Sequence, residues 1–234
     1  MTSSSTSKTF SFNTIQEANE YFLSQGWTDG LPINLPTKTE VSKFIKTATN
    51  PGDHIIGIEP VKGREITLEK IAINSVMAGC RPEYFPIILT AVQALVESQF
   101  NLHGITASTM GAGILTLVTG PIAKELGING GINVFGPGHE ANATIGRALR
   151  LIVINCTGSR SGEIDKATLG HAGKYTWCIT ENEDFRPWPN TAEDRGFSPN
   201  ANTVSVFAGL SPIQVSNHSS QHPEDILSSF RDAL

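Results

Sequence analysis

The 234-residue sequence predicts an α/β or α+β fold, a single domain in which a mixed sheet is packed with helices. Three observations predict it. The apolar run Ile114 to Val118 is bounded by Gly113 and Gly120 and reads as a central strand shielded on both faces, and Leu149 to Asn155 repeats that pattern. Between them, Pro121 to Arg150 holds a short helical piece, a glycine-rich loop and a helix beginning near His139, which reads as a crossover unit. On either side, apolar residues recur at helical spacing, and no repeat or low-complexity linker divides the chain.

Taken in order, residues 1–12 are Ser/Thr-rich and read as a disordered tail, leaving 13–234 as the globular domain. Asn13 can cap a helix that carries Ile15, Ala18, Tyr21 and Phe22 on one face and stops at Gly26. After the turn-forming stretch Trp27 to Pro32, Thr37 and Glu40 have the spacing of a capping box for a second helix to about Thr47. His54 to Glu59 is short and β-branched, as a buried strand is, and Thr67 to Met77 has amphipathic helical spacing ended by Gly79. Pro82 suits the first turn of a helix running through Ile87, Leu89, Val92 and Leu95. Further strands are expected at Tyr175 to Thr180 and Thr203 to Ala208, with a last helix at Pro223 to Ala233.

Composition narrows the function. A net charge of -5 and the lack of Lys/Arg runs interleaved with aromatics remove the electrostatic footprint of a nucleic-acid binder. There is neither a secretory h-region nor an apolar stretch of membrane-spanning length, so a soluble, cytoplasmic protein is expected. Cys80, Cys156 and Cys178 form an odd, widely spaced set that suits free thiols in a reducing compartment.

The densest chemical signal runs from Gly127 to Arg147. Gly136 and Gly138 let backbone approach a ligand, and the helix that follows offers unpaired N–H groups to an anion, with His139, Asn142 and Gly146 sharing one face and Thr144 and Arg147 nearby. The same residues also fit a glycine-rich turn feeding a packed helix, with Asn142 bonding backbone. Neither a dinucleotide fingerprint nor a P-loop is spelled, so no nucleotide cofactor is expected, and no His or Cys pair has metal-ligand spacing; His54, Glu59 and His103 are scattered. A second cluster, Gly170 to Asn182, offers His171, Lys174, Tyr175 and Glu181 as proton-transfer or substrate-contacting groups, or else forms a solvated edge hairpin. In a third, Cys80 precedes a Pro-started helix beside Arg81, a setting that lowers a thiol pKa, although a lone cysteine is also a common core residue.

Four ordered segments carry a resemblance: Gly26-Trp-Thr-Asp-Gly-Leu-Pro32, Met77-Ala-Gly-Cys-Arg-Pro-Glu-Tyr84, Asn133-Val-Phe-Gly-Pro-Gly138 with Ala141 to Ala148, and Gly173-Lys-Tyr175. Over residues 20 to 210 the chain resembles a mostly bacterial family associated with genes for the UGSC family of selenocysteine- or cysteine-containing proteins. The resemblance brings no assigned reaction, fold or catalytic residue. It implies an enzyme-like protein, or one half of a two-component system with thiol or selenol chemistry.

Two functions are therefore expected to compete. One is an enzyme acting on a small polar or anionic molecule by general acid/base chemistry, of lyase, hydratase or isomerase type. In it the Gly136 to Arg147 cradle and Arg81 hold the anion, His139 or His171 moves protons, Glu181 and Lys174 assist, and Cys80 adds a covalent step. The other is a non-catalytic or co-catalytic subunit of a two-component thiol/selenol redox system; the expected partners are a small-molecule substrate and either further copies of the chain or a UGSC-type subunit. A metal-dependent hydrolase is a third, weaker option.

Overall fold

The computed structural model describes residues 7–233. The first helices start where hydroxyl side chains can satisfy their free N–H groups. In α1 (Ile15–Ser24) the Thr14 hydroxyl accepts from the Glu17 N–H, so the cap falls one residue later than expected, and Asn13 gives its own N–H to the Glu17 carboxylate. In α2 (Lys38–Ile45) Thr37 accepts from the Glu40 N–H as the Thr-x-x-Glu spacing requires. Glu40 turns to Lys43, 2.8 Å away, instead of closing the box.

The strand read at 54–59 exists as β1 (Ile55–Ile58), paired antiparallel with β2 (Glu65–Thr67), but it is not buried. Ile55 and Ile58 face outward. The β-branched composition was satisfied by a two-stranded surface ribbon, which needs one covered face only, and Gly57 lies against Val96 to supply it. From β2 the chain enters α3 (Leu68–Ala78), capped by Thr67 and closed by left-handed Gly79 (φ 86°). Nine residues of α3 are buried, polar Glu69, Asn74 and Ser75 among them, so this helix is the axis of the core. Packed against it are α2, α4 (Phe85–Val96, after a 3₁₀ turn at Pro82–Tyr84) and α7 (Glu140–Ile152).

A three-stranded mixed sheet has the order β4-β3-β5, where β3 is Gly113–Thr119, β4 Cys178–Thr180 and β5 Thr203–Gly209. β3 and β4 are parallel and β3 and β5 antiparallel. A crossover is therefore present, but its second strand is β4. Leu149 to Asn155 is not a strand; it is the end of α7 followed by a π-helical turn, Val153–Thr157. A continuous apolar run has no period of its own, and here a helix buried on most sides produced what a buried strand also produces. The remaining elements are α5 (Leu102–Thr106), α6 (Pro121–Glu125), α8 (Thr191–Asp194) and α9 (Pro223–Ala233). Residues 7–12 form neither helix nor strand, yet the Phe10 ring centroid lies 5.7 Å from Trp27 and Phe12 lies 5.3 Å from Tyr21. The first six residues of the tail read at 1–12 lie outside the described residues.

α7 is stitched to the sheet by two residues one turn apart. The buried Asn142 side chain accepts from the Asn129 N–H (2.8 Å) and donates to the carbonyls of Asn129 and Cys178 (both 2.9 Å). At Gly146 a Cβ would stand 2.4 Å from the Trp177 nitrogen and 2.5 Å from the Thr176 hydroxyl, so the close approach of β4's leading strand end requires glycine there. Gly146→Ala is expected to lower the stability measured by urea unfolding by about 3 kcal/mol, at the upper end of ordinary overpacking costs, because backbone rather than a flexible side chain must move.

Candidate functional site

A polar cleft of about 690 Å3 is bounded by residues 24–29, by the last turns of α7 and by the loop that runs from Arg160 to Tyr175. In its wall the Asp165 carboxylate, itself buried, receives the Arg150 guanidinium (2.8 Å) and the Lys174 ammonium (2.7 Å). Burial alone would push the Asp165 carboxyl up, but the hydrogen bonds from Lys174 and Arg150 outweigh it and hold its pKa below the ordinary aspartate value. Two cations share this one carboxylate, and Glu163, beside Arg160 at 4.0 Å, and Asp29 bring two further carboxylates to the lining.

His171 also lines the cleft, at the start of a 3₁₀ turn (Ala172–Lys174). Its Nδ1 accepts from the Gly173 N–H at 3.1 Å, which assigns the ring proton of the neutral imidazole to Nε2. Nε2 is buried and has no hydrogen-bond partner. The ring is held edge-on to Trp177, centroids 5.3 Å apart. Across the cleft lining, Arg160 presents a second buried donor without a partner, its Nε, while its guanidinium lies against Gly26.

Of the residues singled out in the sequence, His171, Lys174 and Tyr175 thus come together in this cleft. The glycine-rich loop meets the His171 loop through Trp177, whose ring lies 6.3 Å from Phe135 as well as 5.3 Å from His171. Gly136, Gly138 and His139 stand outside the cleft lining. His139 occupies the N-cap of α7 without a side-chain cap bond, and the first helical residue, Glu140, already places a carboxylate there, paired with Arg81 (Nε to Oε1 2.8 Å). The helix start is therefore served by the chain's own anion.

Several expected ligand groups turn out to be engaged in the fold. Asn142 uses its carboxamide on backbone. Arg147 forms a two-point ion pair with Asp29 (2.8 and 2.9 Å) and also donates to the Pro32 carbonyl (2.8 Å), fixing the Gly26 to Pro32 turn on α7. The Thr144 hydroxyl donates to the Glu140 carbonyl. Glu181 accepts from the N–H and hydroxyl of Thr191 at the start of α8. Cys80 donates its S–H to the Thr144 carbonyl at 3.2 Å, and enclosure of the sulfur raises its pKa to about 12. The residue keeps some exposed surface, but its sulfur points inward, so the expected lowering by a helix start and Arg81 does not occur: Arg81 is committed to Glu140. Glu59 and His103, distant in sequence, meet at 2.9 Å as a local clip. Among the described residues no three His, Cys, Asp or Glu side chains converge as a metal centre.

Arg150, Arg160, Asp165 and Asp29 complete the surroundings of the cleft and were not singled out from the sequence. Asp29 sat within the Gly26 to Pro32 motif. Arg150 lies three residues beyond Arg147, the spacing that puts both on adjoining helical positions, once 149–152 is recognised as helix.

Two measurements check this electrostatic picture. Because Asp165 titrates lower folded than unfolded, the stability it contributes is present above the ordinary aspartate range and is lost as pH falls through its folded pKa. Asp165→Asn is expected to cost about 3 kcal/mol in denaturant unfolding at pH 7, where two cations lose their buried partner, and the gap from wild type should close as the pH approaches 2. Cys80 should resist iodoacetamide at pH 8 in the folded protein and react only on unfolding, as followed by mass spectrometry.

No protein-family model, curated protein or solved structure matches the chain.

Proposed function

We propose that the chain is an enzyme acting on a small polar or anionic organic substrate by proton transfer, of lyase, hydratase or isomerase type, with the cleft as its active site. One observation carries this reading: two residues that line the same cleft, His171 and Arg160, each hold a buried nitrogen without a hydrogen-bond partner, Nε2 and Nε. A buried donor left unpaired costs about 1–3 kcal/mol, so a cleft with two of them favours a ligand that brings acceptors, and a carboxylate or phosphate oxygen is the best of these. His171 is then the proton-transferring group, its neutral tautomer presenting an N–H to the substrate oxygen. Lys174 and Tyr175 flank it. Cys80 has no part in the chemistry, since its thiol stays protonated.

The reading in which the chain serves as a subunit beside a partner carrying a thiol or selenol has its own support. Ile132 (97% exposed) and Phe135 project from the glycine-rich loop, and Leu169 (95% exposed) and Tyr175 from the loop that lines the cleft. Such side chains suit an interface better than open solvent.

A thermal-shift panel of small carboxylates and phosphates separates the two. An anion at about 100 times its Kd should stabilise the wild type by about 2.7 kcal/mol, and His171→Asn or Arg160→Met should remove most of the rise in Tm. A panel that leaves the wild-type midpoint unmoved would retire the active-site assignment in favour of the subunit reading.

A further inference from the structure

A second cavity, of about 1330 Å3, is formed by the segment 7–12, α1, α2, α3 and the π-helical turn. It shares walls with the cleft. Trp27 lines the cavity while Gly26, Thr28 and Asp29 line the cleft, and after α7 Asn155 and Cys156 line the cavity while Arg150 and Ile154 line the cleft.

Its walls are mainly apolar, with the rings of Phe10, Tyr21, Phe22 and Trp27 and, from α3, Ile73 and Met77. Aromatic rings at 5–6 Å from one another offer flat, rigid surfaces to a flat ligand. Among the polar side chains of the lining, Asn155 is carried on the π-helical turn. Such turns re-aim side chains and recur at functional sites.

The hydrogen-bond state of Asn155 can be fixed by its neighbours. Asn74 donates through Nδ2 to the Lys70 carbonyl at 2.8 Å, so Asn74 Oδ1 is an acceptor. Asn155 Nδ2 donates to that Oδ1 at 2.6 Å and to the Trp27 carbonyl at 3.0 Å. Both amide protons are then used, and the remaining atom, Oδ1, is a buried acceptor with no donor. The group that completes it must carry an N–H or O–H.

Charge selects the other end of the ligand. Lys8, Lys38, Lys46 and Lys70 all line the cavity from exposed positions, against two carboxylates, Asp53 and Glu69. Glu69 receives the Ser7 hydroxyl at 3.0 Å. Lys70 donates to the Glu65 carbonyl, and no ion pair holds Lys8, Lys38 or Lys46 among the described residues. In a chain of net charge -5, this is a local positive excess.

The geometry points to a binding site for a flat, largely apolar small molecule that carries an N–H or O–H donor at its buried end, met by Asn155, and an anionic group at its outer end, met by the lysines. This site is separate from the proposed active site.

Isothermal titration of the full-length protein with indole-3-acetate, which has an N–H, a flat apolar body and a carboxylate, tests it against two analogues. 1-Methylindole-3-acetate, which lacks the donor, should bind about tenfold more weakly, the effect of one hydrogen bond to a buried acceptor. Neutral indole-3-acetamide, which keeps the donor and lacks the charge, should bind about threefold more weakly. Asn155→Ala should abolish the discrimination between the indole and its N-methyl form. Lys46→Gln, an exposed change that leaves the core intact, should weaken the carboxylate but not the acetamide. His171→Asn should leave all these affinities as they are, whatever becomes of the cleft assignment. The proposal is overturned if indole-3-acetate gives no saturable heat with folded protein, if the methylated analogue binds equally well, or if binding is lost in His171→Asn and retained in Lys46→Gln.

Discussion

The rest of the structure depends on the Asn142 carboxamide. One side chain on α7 satisfies three backbone groups, two in the glycine-rich loop and one at the head of β4. Leaving those groups buried and unmatched would cost about 1–3 kcal/mol apiece, so the alternative packings of α7 against the sheet are excluded by more than their apolar contacts. Gly146 then allows Trp177 to approach, Trp177 holds His171, and the loop that carries Lys174 follows. One residue further, Arg147 fixes the turn at Asp29 to Pro32. The cleft is therefore assembled on a single helix face, with the residues at 142, 146 and 147 setting its geometry and 150 and 154 lining it.

Electrostatic balance explains why some charged groups are spoken for and others are not. Arg147 and Asp29 neutralise each other in a two-point pair with little exposure. Arg81 and Glu140 do so at the surface, where screening leaves the pair little net value. Asp165 is different: it is one buried carboxylate held between two cations in the wall of the cleft, where Arg160 and Glu163 form a second, looser pair.

Much of the fold was legible because its signals are local. Hydroxyl caps at Thr37 and Thr67, Gly79 at a helix end and the bounded run at 114–118 are decided by near neighbours in sequence, and the helices and strand follow. Leu149 to Asn155 was misread because an apolar run without polar punctuation does not state its period; α7 is buried on several sides, and its last turn widens into a π segment that no local rule marks. The site divided in the same way. His171, Lys174 and Tyr175 are near one another in the chain, whereas Arg150 comes from α7 and Arg160 and Asp165 from the start of the loop that folds back against it. The thiol of Cys80 shows the limit most plainly, since its neighbours in sequence, a helix start and an arginine, predict a lowered pKa. Its surroundings in space decide the matter, since burial of the sulfur raises it.

That inversion bears on how the two functional readings relate. Cys80 and Cys156 are both pushed up to about 12, and Cys178 is raised as well, each by burial. A thiol raised in that way stays protonated at neutral pH, whereas a nucleophilic cysteine acts as its thiolate. Thiol or selenol chemistry involving this chain would therefore have to draw its nucleophile from a partner. In the enzyme reading the chain's own contribution would be buried donors and an imidazole in the cleft; in the subunit reading the reacting atom would reside on the partner, and the two readings differ in whether this chain holds a small molecule at all.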